Sequence, residues 1–137
     1  MSFQWPVRVY YEDTDSGGVV YYANYLKFME RARTEWLRHL GIEQDRLIDD
    51  HGIIFAVRSL SVDYLAPARF NDALQVSVEP DGHGRASLEF IQQIRREGTN
   101  AGQLLCQGRV KIACLDAASL RPRRIPSPVY VEIMRDH

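Results

Sequence analysis

One long amphipathic segment constrains this chain most, because nearly everything after it has the pattern of β-strands. Apolar residues in the segment 22–40 recur every three or four positions, which is the period of an α-helix with one buried face. The glycine at position 41 then predicts the C-terminal end of this helix. On its polar face, Arg31 and Glu35 are spaced to form an ion pair. The predicted buried face consists of Tyr25, Phe28, Met29, Ala32, Trp36 and Leu40.

The segments around this helix predict strands. Residues 7–11 alternate and are rich in β-branched and aromatic side chains, which predicts one strand before the helix. Two minor helices are predicted near residues 44–50 and after Pro128. Because the order is not an alternation of strands and helices, we predict one α+β domain over residues 1–137, with an antiparallel sheet wrapped around the long helix. The four later strands are predicted at residues 53–65, 73–79, 86–96 and 104–115, with turns at 81–84 and 98–100.

The composition argues against several classes of function. A net charge of −1 gives no basis for binding nucleic acid. No stretch approaches the roughly 18 apolar residues of a membrane span, and the first fifteen residues have no apolar core of a secretion signal. Cys106 and Cys114 form no metal-binding or redox motif, so we predict two reduced, buried thiols. We therefore expect a cytoplasmic protein with neither a membrane span nor a nucleic-acid partner.

The polar segment between the first strand and the long helix is the best candidate for chemistry. A helix N-terminus presents unpaired N–H groups and a partial positive charge, which stabilise an oxygen that becomes negative during a reaction. Gly17 and Gly18 allow the backbone to approach a ligand closely. Asp15, beside them, has the carboxylate needed to activate water or to attack a carbonyl directly.

Three other interpretations of this loop compete with catalysis. Asp13, Thr14 and Asp15 are common in turns and caps, so the loop can be purely structural. A calcium loop is disfavoured because an EF-hand requires a ligand at Gly17 and a glutamate at Asn24. A phosphotransferase with an aspartyl nucleophile is disfavoured because the chain has no alternating α/β pattern.

Two longer stretches resemble a known family. The sequences WPVRVYYEDTDSGGVVYYANYLKFMERARTEWLR (residues 5–38) and FAVRSLSVDYLAPARFNDAL (residues 55–74) are similar to the YbgC family, the Tol-Pal-associated acyl-CoA thioesterases. They resemble the 4-hydroxybenzoyl-CoA thioesterases more distantly. The resemblance implies a hotdog fold and a homodimer or homotetramer with the active site between two subunits. It implies an acyl-CoA substrate with no metal and no cofactor, since coenzyme A is part of the substrate. It also links the chain to the Tol-Pal system, phospholipid synthesis and acyl carrier protein.

The resemblance also assigns roles to individual residues. It implies that Asp15 is the catalytic carboxylate, that Tyr11 lies near the reaction centre, and that the backbone amide around Tyr22 polarises the thioester carbonyl. Many family members have histidine where this chain has Tyr22, so we assign the Tyr22 side chain to the pocket and its N–H to the chemistry. The residues expected to bind substrate are Gly17, Gly18, Val19, Tyr25 and Arg58.

Some alternatives stay open on the sequence alone. Asp15 can act as a general base or as a nucleophile. A non-catalytic sensor of acyl-CoA or acyl carrier protein is the alternative function, although Asp15 beside two glycines favours catalysis. Arg121, Arg123 and Arg124 are candidates for contact with the coenzyme A phosphates, and an exposed tail without a ligand explains them equally well.

Overall fold

The computed structural model describes residues 3–98 and 102–135, and across these residues it forms one antiparallel sheet packed against helices. The five strands are arranged in the order β1-β3-β4-β5-β2. This arrangement confirms the predicted α+β class. The elements in chain order are β1 (Phe3–Arg8), α1 (Asn24–His39), α2 (Gln44–His51), β2 (Ile53–Tyr64), β3 (Ala73–His83), β4 (Ser87–Arg96), β5 (Gln103–Asp116) and α3 (Ser127–Arg135).

Helix α1 packs on the sheet through the face that its sequence predicts. Five of the six predicted residues, all except the half-buried Leu40, are buried. The helix ends where Gly41 adopts a φ of 84° and Ile42 N–H donates to the Leu37 carbonyl at 2.9 Å, which is a C-terminal capping geometry. The predicted Arg31–Glu35 ion pair is wrong. Glu35 pairs instead with Arg38, three residues later on the helix.

A polar link fixes α1 over the sheet inside an otherwise apolar core. The core is mainly apolar: Trp36 packs edge-on against Phe90 of β4, with ring centroids 5.2 Å apart. Each fully buried aliphatic or aromatic side chain of this kind contributes about 1.5–3 kcal/mol to folding. Gln92 of β4 is a polar residue that is fully buried in this apolar core. Its amide nitrogen donates to the Met29 carbonyl at 3.1 Å, and its amide oxygen accepts a hydrogen bond from Arg33 at 2.8 Å. Helix and sheet are therefore joined by hydrogen bonds as well as by packing.

The largest boundary errors of the prediction lie at the first strand and at the turn after β3. Strand β1 covers Phe3–Arg8, so it begins and ends earlier than the predicted residues 7–11. It ends early because the Tyr10 N–H donates to the Asp13 carboxylate at 2.8 Å, which turns the chain away from the sheet. Strand β3 continues to His83 across an irregularity between Pro80 and Gly82. The turn predicted at 98–100 lies partly outside the described residues.

The two cysteines behave as core residues. Cys106 and Cys114 are buried free thiols, and burial raises the pKa of the Cys106 thiol to about 12. A thiol with that pKa is protonated at neutral pH, so Cys106 is a poor nucleophile. Within the described ranges, no helix has both the length and the apolar character needed to cross a membrane.

Candidate active site

The predicted polar loop folds into a tight turn at the entrance to α1. Thr14 and Val20 form an isolated antiparallel bridge, and the Asp15 N–H donates to the Val19 carbonyl at 2.9 Å. The turn closes when the Gly18 N–H donates to the Asp15 carbonyl at 3.0 Å, with Gly18 at a φ of 79° that favours glycine. Asp15 thus occupies the first position of a turn held by its own backbone.

The Asp15 side chain is exposed but held in place. One carboxylate oxygen, Oδ1, accepts a hydrogen bond from the Gly17 N–H at 2.8 Å. A Cβ at position 17 would lie 3.2 Å from that oxygen, so glycine leaves the carboxylate uncrowded. Among the described residues no hydrogen-bond donor to Oδ2 is found. The second oxygen is therefore available to a water molecule or a substrate.

Asp13 and Thr14 shape this loop. The Asp13 carbonyl accepts hydrogen bonds from the Tyr21 N–H at 3.0 Å and from the Asn24 side chain at 2.9 Å, which ties the loop to the first residue of α1. The Thr14 hydroxyl donates to the Tyr11 carbonyl at 2.7 Å. The structural interpretation thus describes Asp13 and Thr14, because Asp13 is half-buried and its carboxylate accepts the Tyr10 N–H at 2.8 Å, whereas Asp15 is exposed.

The start of α1 offers an unpaired amide, as the sequence predicts. The helix begins at Asn24, and no acceptor for the Tyr22 N–H is found among residues 3–98 and 102–135. The Tyr22 carbonyl accepts a hydrogen bond from the Tyr64 hydroxyl at 3.1 Å. This contact fixes the Tyr22–Ala23 peptide just before the helix, while the Tyr22 N–H belongs to the preceding peptide, Tyr21–Tyr22.

Exposed tyrosine rings form a wall beside this amide. The Tyr22 ring lies 4.7 Å from the Tyr21 ring and 6.3 Å from the Tyr64 ring, measured between centroids. Tyr25, which was expected to bind substrate, is buried beneath them, and its hydroxyl accepts the Ala68 N–H at 2.9 Å. Burial raises the pKa of Tyr25. Its position makes Tyr25 a support for the wall, and its ring lies 5.4 Å from the Tyr64 ring between centroids, at an angle of 63°.

Two other predicted residues have no described contact with the Asp15 carboxylate, although the Val19 carbonyl accepts the Asp15 N–H at 2.9 Å. The Tyr11 ring is 80% exposed and packs on Phe70 at 5.5 Å between centroids, and no contact between the Tyr11 side chain and Asp15 is described. Val19 is half-buried and forms a bridge with Arg69, which anchors the loop to the segment after β2. The described residues therefore leave Tyr11 at the edge of the site.

The arginines predicted to bind substrate or phosphate lie in the middle of β2 or after the end of β5. Arg58 is exposed in the irregular part of β2, six residues and about 20 Å along the strand from Tyr64. Arg123 is engaged by the Gly52 carbonyl at 3.0 Å and by Asp116 at 3.4 Å. Arg121 is exposed beyond β5. In contrast, Arg124 lines an open pocket of about 560 Å³ together with His83, Arg85 and Tyr130 at the start of α3.

Sequence reasoning missed Tyr64 and Arg85. Tyr64 lies in the second stretch of family resemblance, but its contact with Tyr22 joins residues 42 positions apart. Arg85 lies in a turn rich in glycine, and only the packing of α3 places it beside Arg124. The one available signal for both was a polar or aromatic side chain at the end of a predicted strand.

The site contains no arrangement that is typical of metal binding. Across residues 3–98 and 102–135, no three His, Cys, Asp or Glu side chains are grouped closely enough to hold a metal ion. The loop offers the exposed Asp15 carboxylate, the Tyr22 backbone amide and an aromatic wall.

Comparisons with known proteins agree with this arrangement. Residues 9–133 match the model of the thioesterase-like superfamily. The acyl-CoA thioester hydrolase YbgC of Escherichia coli O6:H1 is 45% identical over 131 residues, which cover 95% of this chain and 94% of that protein. A probable thioesterase from Bartonella henselae has a similar structure, with a TM-score of 0.82 and 30% identity over 92% of this chain and 100% of that one.

A more distant structure supports the fold alone. A 4-hydroxybenzoyl CoA thioesterase mutant complexed with 4-hydroxybenzoyl CoA has a TM-score of 0.88 at 18% identity, with 96% of this chain and 97% of that chain covered. The hotdog fold implied by the resemblance is confirmed by this likeness together with the superfamily match. The chain therefore belongs to the thioesterase-like superfamily and, within it, to the YbgC family of acyl-CoA thioesterases.

Proposed function

We propose that this chain hydrolyses acyl-CoA thioesters to a free acid and coenzyme A, with Asp15 as the catalytic carboxylate. The observation that carries the proposal is the second oxygen of Asp15, which is exposed and has no described partner on a loop that leads directly into α1. The relatives with this sequence pattern are named as hydrolases, so a non-catalytic sensor is not favoured. The proposed reaction uses no cofactor, since coenzyme A arrives as part of the substrate.

The proposed mechanism follows from the charge that develops on the substrate. The thioester oxygen becomes negative as the carbonyl is attacked, and the Tyr22 N–H at the positive end of α1 stabilises it. Asp15 either removes a proton from the attacking water or forms a mixed anhydride that water then cleaves. In both routes the carbon–sulfur bond breaks, the thiolate of coenzyme A leaves, and the acyl carbon gains a hydroxyl oxygen from water. The exposed rings of Tyr22 and Tyr64 form the wall beside the acyl group.

A homodimer joined through β2 is part of the proposal. The two outer strands of the sheet differ, because β1 has six residues and contains Pro6, which cannot donate to a ladder. Strand β2 has twelve residues and exposes Val57, Leu60 and Tyr64 by 52%, 39% and 46%. A long exposed edge with apolar side chains favours pairing with another strand. Antiparallel pairing of β2 with the partner's β2 makes one continuous sheet, and two such dimers can form a tetramer.

This dimer supports a binding site for the phosphates of coenzyme A. Antiparallel pairing brings the beginning of the partner's β2 beside the end of β2, where Tyr64 contacts Tyr22. The pocket lined by His83, Arg85 and Arg124 lies at the end of the sheet where β2 begins, and we propose that the partner's copy of it receives the phosphates. Arginine side chains and a helix N-terminus both attract phosphate. Arg58, on the same half of β2, is a second candidate for this contact.

The Arg85→Ala variant tests the phosphate site. We expect KM for acyl-CoA to rise roughly tenfold with kcat nearly unchanged, because a phosphate contact of about 1.4 kcal/mol is lost equally from the bound substrate and the transition state. The same variant should hydrolyse an acyl thioester of pantetheine, which lacks the nucleotide, as fast as the unchanged protein. Arg46→Ala, an exposed arginine of α2, is the matched control. An equal loss of kcat/KM on acyl-CoA and on the pantetheine thioester would contradict a phosphate contact.

A panel of acyl-CoA substrates tests the activity itself. We expect release of free thiol, detected with a thiol reagent, from at least one of a series of aliphatic and aromatic acyl-CoAs. The same series gives the acyl preference of the site beside Tyr22. Saturable binding without thiol release across the whole panel would instead support the sensor.

The setting of this reaction is also a proposal. The free thiols of Cys106 and Cys114 suit a reducing compartment, which supports the cytoplasm. Links to acyl carrier protein, the Tol-Pal system and phospholipid synthesis rest on the family resemblance alone.

A further inference from the structure

The segment that connects β2 to β3 is bonded to the candidate active-site loop. We call this segment, residues 65–72, the support segment. Its Ala68 carbonyl accepts the Val20 N–H at 2.9 Å, and its Arg69 forms the isolated antiparallel bridge with Val19. The support segment therefore contacts the loop at two successive residues of the loop backbone.

The same segment holds the chain where it leaves β1 and enters the loop. The Val9 N–H donates to the Asp72 carbonyl at 2.9 Å, and the Val9 carbonyl accepts the Asn71 N–H at 2.9 Å. On the other side of the loop, the Val19 carbonyl accepts the Asp15 N–H at 2.9 Å. The position of the Asp15 backbone therefore depends on the support segment from both sides.

Arg96, the last residue of β4, joins the support segment to the sheet. Its Nε donates to Oδ2 of Asp72 at 3.0 Å, and its Nη2 donates to the Pro67 carbonyl. The same Asp72 oxygen accepts the Arg69 N–H at 2.8 Å, which closes the segment on itself. The third nitrogen, Nη1, donates to the Gln103 side chain of β5 at 2.6 Å. All three nitrogens of the guanidinium therefore have an acceptor.

The ion pair of Arg96 with Asp72 is partly enclosed. The two side chains are 17% and 22% exposed, and partly buried charge pairs are screened less by water and salt than pairs on the open surface. An arginine that bonds to two acceptors on one segment also fixes the direction of that segment, because its planar fork is rigid. Arg96 therefore anchors the support segment in both position and orientation.

We propose that Arg96 is a positioning residue for thioester hydrolysis, which acts on Asp15 through the support segment. The inference rests on the proposed function, because it takes Asp15 as the catalytic carboxylate. Among the contacts of the described residues, none joins Arg96 to Asp15 directly, so its effect passes through the backbone contacts of Val19 and Val20. A catalytic group displaced by about 1 Å can lose roughly 100-fold in rate. Arg96 contributes to kcat by limiting such displacement.

The Arg96→Ala variant tests this role by separating kcat from KM. With the best substrate of the acyl-CoA panel, we expect kcat to fall at least about tenfold, because the loop loses its anchor. We expect KM to stay within about twofold, since the proposed phosphate contact at Arg85 is unchanged. Arg95→Ala is the matched control, because Arg95 is the preceding residue of β4 and its side chain bonds to Gly102 and Gln93 instead of the support segment. Its kcat should equal that of the unchanged protein.

Two conservative variants separate positioning from a loss of fold. Arg96→Lys keeps a cation opposite Asp72 but lacks the planar fork that also reaches Pro67, so its kcat should lie between those of Arg96→Ala and the unchanged protein. Asp72→Asn keeps an oxygen that can accept the Arg69 N–H and loses only the ion pair, so the same intermediate kcat is expected. All variants are assayed at a temperature where circular dichroism shows the native fold.

Hydrogen exchange of the Val20 amide measures the anchoring without relying on activity. This N–H donates to the Ala68 carbonyl, and we expect it to exchange at least about tenfold faster in Arg96→Ala than in Arg95→Ala or the unchanged protein. Equal exchange in the two arginine variants would overturn the inference. Faster exchange with a normal kcat would also overturn it, because the anchor would then have no effect on the reaction. If the unchanged protein releases no thiol from any acyl-CoA, the hydrolase proposal and the catalytic role of Arg96 fail together, while the exchange rates still show whether Arg96 anchors the loop.

Discussion

The Asp15→Asn variant is expected to lose acyl-CoA hydrolysis while it keeps the fold of the unchanged protein. Asparagine has nearly the same shape as aspartate and retains the Oδ1 acceptor for the Gly17 N–H, so the turn at residues 15–18 should persist. What it loses is the charged second oxygen, which is the group proposed to deprotonate water or attack the thioester. Removing a general base costs roughly 10²–10⁴-fold in kcat.

The measurement compares kcat for thiol release in the variant and in the unchanged protein at one pH. Asp49→Asn is the matched control, since it removes one negative charge from an exposed position of α2. Asp13→Asn separates chemistry from loop shape, because the Asp13 carboxylate serves the Tyr10 N–H and its carbonyl holds Tyr21 and Asn24. We expect Asp13→Asn to lower the free energy of unfolding while kcat stays close to that of the unchanged protein. An Asp15→Asn enzyme within tenfold of normal kcat would remove Asp15 from the catalytic role.

The sequence allowed the main helix and the turn at Asp15 to be predicted because both depend on local spacing. The buried face of α1 follows from a 3.6-residue period, and Gly41 ends the helix through its own backbone freedom. The turn at Asp15 likewise depends on residues within four positions, among them Gly17 and Gly18. In these places a short stretch of chain contains all the partners that determine its conformation.

Other parts of the site could not be predicted because their partners are distant in the sequence. Tyr64 reaches Tyr22 only after β2 has been placed at the edge of the sheet. Gln92 looks like one polar position of an alternating strand, yet it is fully buried beneath α1. The error at β1 has a similar origin, since Val9 continues the strand pattern but the Asp13 cap redirects the chain just after it. The hydrophobic period of a sequence does not indicate which of two competing hydrogen bonds, one in the sheet and one in a turn, will form.

The Gln92→Leu variant is expected to lower the free energy of unfolding by about 3 kcal/mol. Leucine has a similar volume, so little cavity is created, and the loss comes from hydrogen bonds. The Arg33 guanidinium loses its described acceptor, and the Met29 and Ser77 carbonyls lose a donor at 3.1 and 3.3 Å. Hydrogen bonds to charged groups contribute about 1.5–3 kcal/mol, and an unpaired enclosed charge costs more than that.

Urea unfolding followed by circular dichroism measures this loss, with all variants at one protein concentration because a dimer's stability depends on concentration. Gln93→Leu is the matched control, since Gln93 is the next residue of β4 and its side chain bonds to Gln107 and Arg95 outside the core. We expect that control to change stability by no more than about 0.5 kcal/mol. If Gln92→Leu is as stable as the unchanged protein, Arg33 has a sufficient second partner. Combining Gln92→Leu with Glu30→Gln then identifies that partner, because the double variant becomes unstable only if the partner is Glu30.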